Sequence, residues 1–291
     1  MKIDKIFSSK KPVISFEFFP PKRDGNLEKL FEAIEDIQSI HPDFVSITYG
    51  AGGGTREMTF EIAIRMKRIG VCPLVHLTCI GHTREEIRIL LKQLQQEGIE
   101  NILALRGDPP KSLSGSMPPS QEIKYASELV HLIRQENFPF SVGVAAYPEG
   151  HPEARDRQTD FGYLKSKINQ GAHFAITQLF FDNQDYFQLV QWLQQQAISI
   201  PIQPGIWILT DYQQIQKIVS LSHSKFPEVL NEKIKRVQED SVAVTEAGIE
   251  YATRQCQELL QLGAPGIHFY TMNKSYAALR VYRNLKQAGC I

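Results

Sequence analysis

One ionisable side chain interrupts an otherwise apolar run near the start of the chain: Glu17, in Val13-Ile14-Ser15-Phe16-Glu17-Phe18-Phe19-Pro20-Pro21. Once such a run is buried, a carboxylate among phenylalanines loses hydration, and desolvation favours its neutral, proton-donating form. That is the chemistry of a general acid. Side chains alternate faces along a strand, so Ser15, Glu17 and Phe19 share one side while Phe16 and Phe18 take the other. From this segment alone, an edge strand whose Glu17 faces water accounts for the pattern as well.

Other residues invite other chemistry. Gly50-Ala51-Gly52-Gly53-Gly54-Thr55 precedes a helical pattern, where free amides can hold a phosphate. Thr55 stands where a dinucleotide fingerprint needs its third glycine, and the Lys-Ser/Thr ending of a P-loop is missing, so a tight turn explains the segment equally well. His76, Cys79 and His82 could suggest a metal ion, but the odd spacing of His76 and Cys79 sends them to opposite faces of one strand. No metal site is expected. In His151-Pro152-Glu153 the histidine fits better as a loop residue that hydrogen-bonds a ligand.

The elements that must carry these residues alternate. Eight short apolar runs read as strands: Val13 to Phe19, Phe44 to Thr48, Leu74 to Cys79, Asn101 to Leu105, Phe140 to Ala145, Phe174 to Gln178, Ile202 to Ile206 and Gly266 to Phe269. Between them lie helical patterns at Leu27 to Ile40, Met58 to Ile69, Arg84 to Glu97, Gln121 to Arg134, Asp160 to Asn169, Tyr186 to Gln196, Asp211 to Leu221 and Val242 to Leu262, with a last one at Ser275 to Lys286. From Arg84 the period is clear, with Ile87, Leu90, Leu91 and Leu94 on one face and Thr83 and Glu86 placed for a capping box. Alternating strands and helices imply parallel pairing, and eight units imply a single (β/α)8 TIM barrel of the α/β class. The stretch from His223 to Ser241 has room for an extra helix. The longest irregular segment, Asp108 to Ser120, has the length and proline content of a lid or binding loop.

Active sites of such barrels gather at the C-terminal strand ends. Here those ends read Thr48-Tyr49-Gly50, Thr78-Cys79, Arg106-Gly107-Asp108, Tyr147-Pro148-Glu149, Gln178, Pro204-Gly205 and Tyr270-Thr271. Turn chemistry explains Gly50, Gly205 and Pro148. It explains Arg106-Gly107-Asp108 and Gln178 less well.

With 291 residues, 42% of them hydrophobic, the chain can bury a large core. Its 32 basic and 32 acidic residues argue against a surface built mainly for nucleic acid, although a local basic patch stays open. The N-terminus has no apolar core of signal length, and no run approaches ~18 apolar residues, so no membrane span is expected and the protein reads as cytoplasmic. Four scattered cysteines read as ordinary reduced thiols. Nothing separates a homo-oligomer interface from ordinary surface.

Six segments, in order, resemble the methylenetetrahydrofolate reductase family: Ser15-Phe16-Glu17-Phe18-Phe19-Pro20-Pro21, Val45-Ser46-Ile47-Thr48-Tyr49-Gly50-Ala51, His76-Leu77-Thr78-Cys79, Ala104-Leu105-Arg106-Gly107-Asp108, Ala145-Ala146-Tyr147-Pro148-Glu149 and Ala175-Ile176-Thr177-Gln178. The resemblance runs over essentially the whole chain. Eukaryotic members carry a further C-terminal regulatory domain, whereas this chain stops after the last barrel helix. The resemblance therefore implies the short bacterial form, with residues 1–291 as one catalytic barrel domain.

It further implies an FAD enzyme of one-carbon metabolism and methionine biosynthesis. Hydride would pass from NADH or NADPH to flavin, then from flavin to 5,10-methylenetetrahydrofolate, giving 5-methyltetrahydrofolate in a ping-pong scheme. The short bacterial form inclines to NADH. By motif, Glu17 is the general acid that protonates the departing folate nitrogen, and Asp108 lies by the pterin and the flavin, lowering the flavin's reduction potential. FAD would be met by Thr48, Tyr49, Ala51, His76, Arg106, Gly107, Asp108, Ala126, Tyr147, His151, Ala154, Asp160 and Lys167. Arg106 and Lys167 suit the diphosphate and Asp160 the ribose hydroxyls. Gln178, Gln214, Tyr270 and Lys274 would meet substrates.

The chain departs from the family at Trp207-Ile208, where a proline is often found, at Ile218 in place of an aromatic residue, and at Lys274, where an arginine occurs. Lysine keeps the charge but lacks the bidentate fork. Two other readings remain: a folate-binding methyltransferase on a similar barrel, which would purify colourless, and a metal-dependent barrel hydrolase, which metal analysis would reveal.

Overall fold

The computed structural model describes residues 1–21, 26–49, 56–108 and 122–291. Six parallel strands pair in chain order: β1 (Val13–Phe18), β2 (Phe44–Ile47), β3 (Pro73–Thr78), β4 (Asn101–Leu105), β5 (Ser141–Ala146) and β6 (Phe174–Thr177). The seventh barrel strand is divided into β7 (Ile202–Gln203), which pairs with β6, and β8 (Gly205–Trp207), which pairs with β9 (Gly266–Tyr270). β9 returns to β1, which brings the sheet round into a (β/α)8 TIM barrel.

The run expected unbroken at Ile202 to Ile206 is thus split, for two reasons. Pro204 has no N–H to give to the ladder. Next to it, Gly205 passes so close to β6 that a Cβ there would lie 2.3 Å from Thr177 O. Glycine alone fits that approach, and Gly205 N uses it to donate to Thr177 Oγ1 at 2.9 Å.

Helices α2 (Leu27–Gln38), α3 (Arg56–Arg68), α4 (Arg84–Gln96), α5 (Ala126–Gln135), α6 (Arg157–Asn169), α7 (Asn183–Gln195), α8 (Tyr212–Ser222), α9 (Glu228–Lys235), α10 (Ser241–Gln261) and α11 (Ser275–Gln287) accompany the strands, numbered after a short N-terminal α1 (Ile3–Ser9). In α4 the capping box forms as expected: Glu86 N donates to Thr83 Oγ1 at 3.1 Å, and Thr83 N donates to Glu86 Oε2 at 2.7 Å. Its apolar face, Ile87, Leu90, Leu91 and Leu94, is buried. The extra helix expected between His223 and Ser241 is α9. The helix expected from Gln121 begins at Ala126, and residues 109–121, with most of the Asp108 to Ser120 segment, lie outside the described residues. The same holds for Gly50 to Thr55, including Ala51.

Face alternation follows the two-residue period. Ile14, Phe16 and Phe18 point outward into the helix layer with Leu30, Ile34 and Ile37, while Val13 joins the barrel interior. That interior is filled at its lower end by α1, which periodicity did not reveal because seven residues are too few to show a face. Ile3, Ile6 and Phe7 insert among Val13, Phe44, Leu74, Leu103 and Phe174. The first N–H groups of α1 have no intrahelical acceptor. Two of them are met by the barrel itself, Ile3 N by Asn101 Oδ1 at 2.8 Å and Asp4 N by Ser141 Oγ at 3.1 Å.

Phe7 packs on Phe174 with ring centroids 5.7 Å apart. Phe7→Ala leaves a hole that the surrounding strands cannot close, and is expected to cost about 3–5 kcal/mol. Urea unfolding checks this; a midpoint shift equivalent to under about 1 kcal/mol would show that α1 is not part of the core.

Candidate active site

Above α1 the barrel interior turns polar. Ser15 and Glu17 from β1, Ser46 from β2, His76 from β3, Gln203 from β7 and His268 from β9 are all buried there. Glu17 keeps 8% of its surface and His268 none. The sheet has no open edge at β1, which pairs with β2 and β9, so Glu17 does not face water as an edge residue.

The Glu17 carboxylate lies between two imidazoles. His268 Nε2 is 3.4 Å from Oε2. His76 Nε2 is 3.3 Å away, within ion-pair range but without the alignment of a hydrogen bond. Ser46 Oγ donates to the same oxygen at 3.2 Å. Burial alone pushes the Glu17 carboxyl up; electrostatic attraction to His76 and hydrogen bonding from His268 outweigh it and bring the group down to about 2. The phenylalanines account for the burial, but the imidazoles set the proton affinity. Burial pushes His268 itself down, with Glu17 opposing.

His268, Gln203 and Ser46 are not among the residues the sequence singles out. Alternation carried the signal for the first: in Gly266-Ile267-His268-Phe269-Tyr270 the odd polar residue shares the inward face with Tyr270, as Glu17 does with Ser15. The Tyr270 ring stands edge-on to His268 at 5.3 Å, and its hydroxyl donates to Thr177 O at 2.6 Å.

Beside this cluster, at the C-terminal ends of β3 to β5, a cavity of about 800 Å³ opens. That is the size range of sites that enclose a cofactor or substrate. Tyr49, Arg106, Gly107 and Asp108 line it from the strand ends, and Ala126 from the start of α5. Tyr147, His151 and Ala154 follow β5, while Asp160 and Lys167 face in from α6. Gly107 holds φ +84°, and a Cβ there would meet Thr78 at 2.9 Å, so the turn after β4 depends on glycine.

Two cations converge on the cavity. Arg106 makes a two-point pair with Glu153, Nη2 to Oε1 at 2.8 Å and Nη1 to Oε2. Lys167 Nζ donates to Ala145 O at 2.5 Å, and burial pushes its ammonium down to about 8, Asp160 opposing only in part. Burial pushes the Asp160 carboxyl up, with Lys167 and His151 pulling the other way. The Tyr147 ring meets His151 edge-on at 4.8 Å. A half-buried ammonium short of counter-charge and a guanidinium held by an outlying carboxylate make a site suited to an anionic group such as a diphosphate.

The remaining sequence-predicted residues lie apart from this cavity. Thr48 is tied to the backbone, its N to Phe18 O at 3.0 Å, and His76 sits deeper beside Glu17. Gln178 follows β6, its Oε1 accepting from Leu179 N at 2.9 Å. Gln214 on α8 donates to Asp211 Oδ2 at 3.0 Å. Lys274, exposed at the start of α11, lines a second cavity of about 720 Å³ with Thr210 and Tyr276. Cys79 packs in the outer apolar layer, away from His76, and among the described residues no cluster of histidine, cysteine and carboxylate side chains is arranged to hold a metal. No helix among them is long and apolar enough to cross a membrane.

The depressed Glu17 value carries a sign. A carboxyl whose native pKa lies below its ordinary value of 4.5 stabilises the fold fully above that pH, and loses the contribution as pH falls toward about 2. Glu17→Gln is therefore expected to flatten the acid limb of stability over that window. Chemical-denaturation midpoints measured from neutral pH downward test it; a limb as steep as that of the parent would refute the imidazole–carboxylate pairing.

Residues 2–286 match the model of the family described as methylenetetrahydrofolate reductase. The chain is 35% identical over 296 aligned positions to methylenetetrahydrofolate reductase (NADH) 1 of Arabidopsis thaliana, covering 98% of this chain and 50% of the plant protein. It is 36% identical over 273 positions to 5,10-methylenetetrahydrofolate reductase of Escherichia coli (strain K12), covering 94% and 90%. The chain thus spans about half the length of the plant relatives and most of the bacterial ones. An uncharacterised Clostridium thermocellum protein, whose structure is described as binding two copies of 5-methyl-5,6,7,8-tetrahydrofolic acid, shares the fold over the full length of both chains with TM-score 0.70 and 15% identity. The ordered motifs, the barrel and these matches agree: the chain belongs to the methylenetetrahydrofolate reductase family.

Proposed function

We propose that this protein reduces 5,10-methylenetetrahydrofolate to 5-methyltetrahydrofolate with NADH or NADPH, the two substrates using one bound FAD in turn. The observation that carries the reading is the juxtaposition of a buried, imidazole-flanked carboxylate with a cavity that gathers two cations. When bound, FAD supplies the hydride chemistry, and the protein supplies position and electrostatics.

Arg106 and Lys167 would hold the diphosphate and Asp160 the ribose hydroxyls, with Tyr49, Gly107, Ala126, Tyr147, His151 and Ala154 shaping the walls. Ala51, Thr48 and His76 complete the set on the family's motif. The diphosphate would take over Arg106 from Glu153, a carboxylate on the solvent side of the pair. Asp108, exposed at the mouth, would accept from the pterin's amino-pyrimidine donors and disfavour added negative charge on the flavin. Gln178, Gln214, Tyr270 and Lys274 would position the substrates.

Ring opening of the folate needs a proton on the departing nitrogen, and on this reading Glu17 would deliver it. Its low proton affinity is not an obstacle. The carboxylate is low because it sits against imidazole, and as the carbon–nitrogen bond breaks, the electron pair gathering on the departing nitrogen makes it basic enough to draw a proton through Glu17.

The protein is expected to purify yellow. Glu17→Gln should keep FAD and accept hydride from NADH at nearly the parental rate, yet lose about 10²-fold or more in folate reduction. Stopped-flow absorbance resolves the two half-reactions, and normal folate turnover in the variant would sink the general-acid assignment. Lys167→Met removes one charge-assisted contact, worth about 1.5–3 kcal/mol, and should weaken FAD about 10–100-fold. Fluorescence titration of apoprotein reads this; unchanged affinity would remove Lys167 from the diphosphate site.

A further inference from the structure

The polar layer beneath the barrel mouth contains a hydrogen-bond chain whose directions are fixed from one end. Gln203 Nε2 donates to Val13 O at 2.9 Å and to Ile267 O at 3.1 Å, so both amide hydrogens are committed and Oε1 can only accept. Ser15 Oγ donates to that oxygen at 3.2 Å. A hydroxyl has one proton, so Ser15 meets His268 Nδ1, 2.7 Å away, as an acceptor. His268 therefore carries its hydrogen on Nδ1. Its neutral form presents a bare Nε2 to Glu17 Oε2 at 3.4 Å. Ser46 Oγ, 3.2 Å from Glu17 Oε2 and 3.4 Å from His268 Nε2, brings a single proton to the two acceptors. A buried carboxylate and an imidazole lone pair facing each other repel unless one further proton lies between them.

We propose that His268 is the positioning partner of Glu17, its tautomer locked by the Gln203–Ser15 chain so that one proton is shared between His268 Nε2 and Glu17 Oε2 and reaches the substrate through Glu17. The tautomer lock stands on geometry alone, while its catalytic consequence rests on the folate reading above. In the reaction the carbon–nitrogen bond to the departing folate nitrogen breaks, its electron pair stays on that nitrogen, and the shared proton moves there. Glu17 is left as carboxylate and His268 as the neutral Nδ1–H imidazole, and water restores the proton after product leaves.

The ionisable groups that face His268 are Glu17 from β1, His76 from β3 and Tyr270 on its own strand. Tyr270 is held neutral far above the working range by burial and is engaged with Thr177 O. β2, β7 and β8 bring no charged side chain. Burial pushes the His268 imidazole down, which keeps the shared proton mobile instead of trapped on Nε2.

Long-range proton–nitrogen correlation spectra of the full-length, FAD-loaded protein with labelled histidine read the tautomer directly, His268→Gln identifying the signal. The expected result is a hydrogen on Nδ1 at every pH, with Nε2 protonated only on the acid side; a neutral Nε2–H form overturns the lock. Ser15→Ala releases Nδ1 and makes His268 a weaker base. The folate half-reaction should slow about tenfold, its fall at rising pH moving to lower pH, while NADH oxidation changes by less than about twofold. An unmoved pH profile overturns the proton-sharing role. If the protein does not reduce methylenetetrahydrofolate at all, the functional reading falls, and the spectrum of the parent protein still decides the lock.

Discussion

Closing a parallel sheet on itself takes away both of its edges, and with them the choice between water and interior for every second side chain. In this protein closure passes through the divided seventh strand. Pro204 gives nothing to the ladder, and Gly205 slides against Thr177 where any side chain would collide. One half-strand satisfies β6 and the other β9. Because β9 then lies against β1, His268 and Glu17 come side by side on the interior face of neighbouring strands, and Gln203, just before the break, reaches carbonyls on both of those strands.

The resulting cluster is costly to fold. Carboxylate, imidazoles, hydroxyls and an amide have all left water, and each must find its partners within a few residues of barrel wall. The apolar layers on either side offset that cost: the phenylalanines of β1 and β9 stack outside the sheet, Phe16 on Phe269 at 5.3 Å, while α1 fills the space below. The cation-lined cavity is different in kind. It lies at the strand ends, its walls come from loops and helix starts, and its charges are only partly compensated, which suits a ligand that completes them.

Much of this was legible in the sequence because strand period is a strong signal. The inward and outward sets of β1 followed from counting by twos, as did the divergence of His76 and Cys79. The same counting applied to β9 exposes His268, and Pro204 inside the run read as one strand, Ile202 to Ile206, is the local signal of its break. Other features left no local trace. α1 is too short for periodicity, and its role depends on a hole that exists only after eight strands have closed. The proton affinity of Glu17 departs from the sequence expectation in direction as well as cause, lowered instead of raised: the adjacent phenylalanines are visible in the chain, whereas His76 and His268 are 59 and 251 residues away, brought in only by the barrel.

The N-terminal helix also closes the lower end of the barrel interior among the described residues. With Ile3, Ile6 and Phe7 filling the space beneath, the polar cluster lies between that plug and the mouth, beside the cavity at the strand ends. On the folate reading, a molecule filling that mouth would close off the interior protons, and the proton spent in one turnover would be made good only after the passage clears. Occupancy and protonation would then be coupled by the shape of the container.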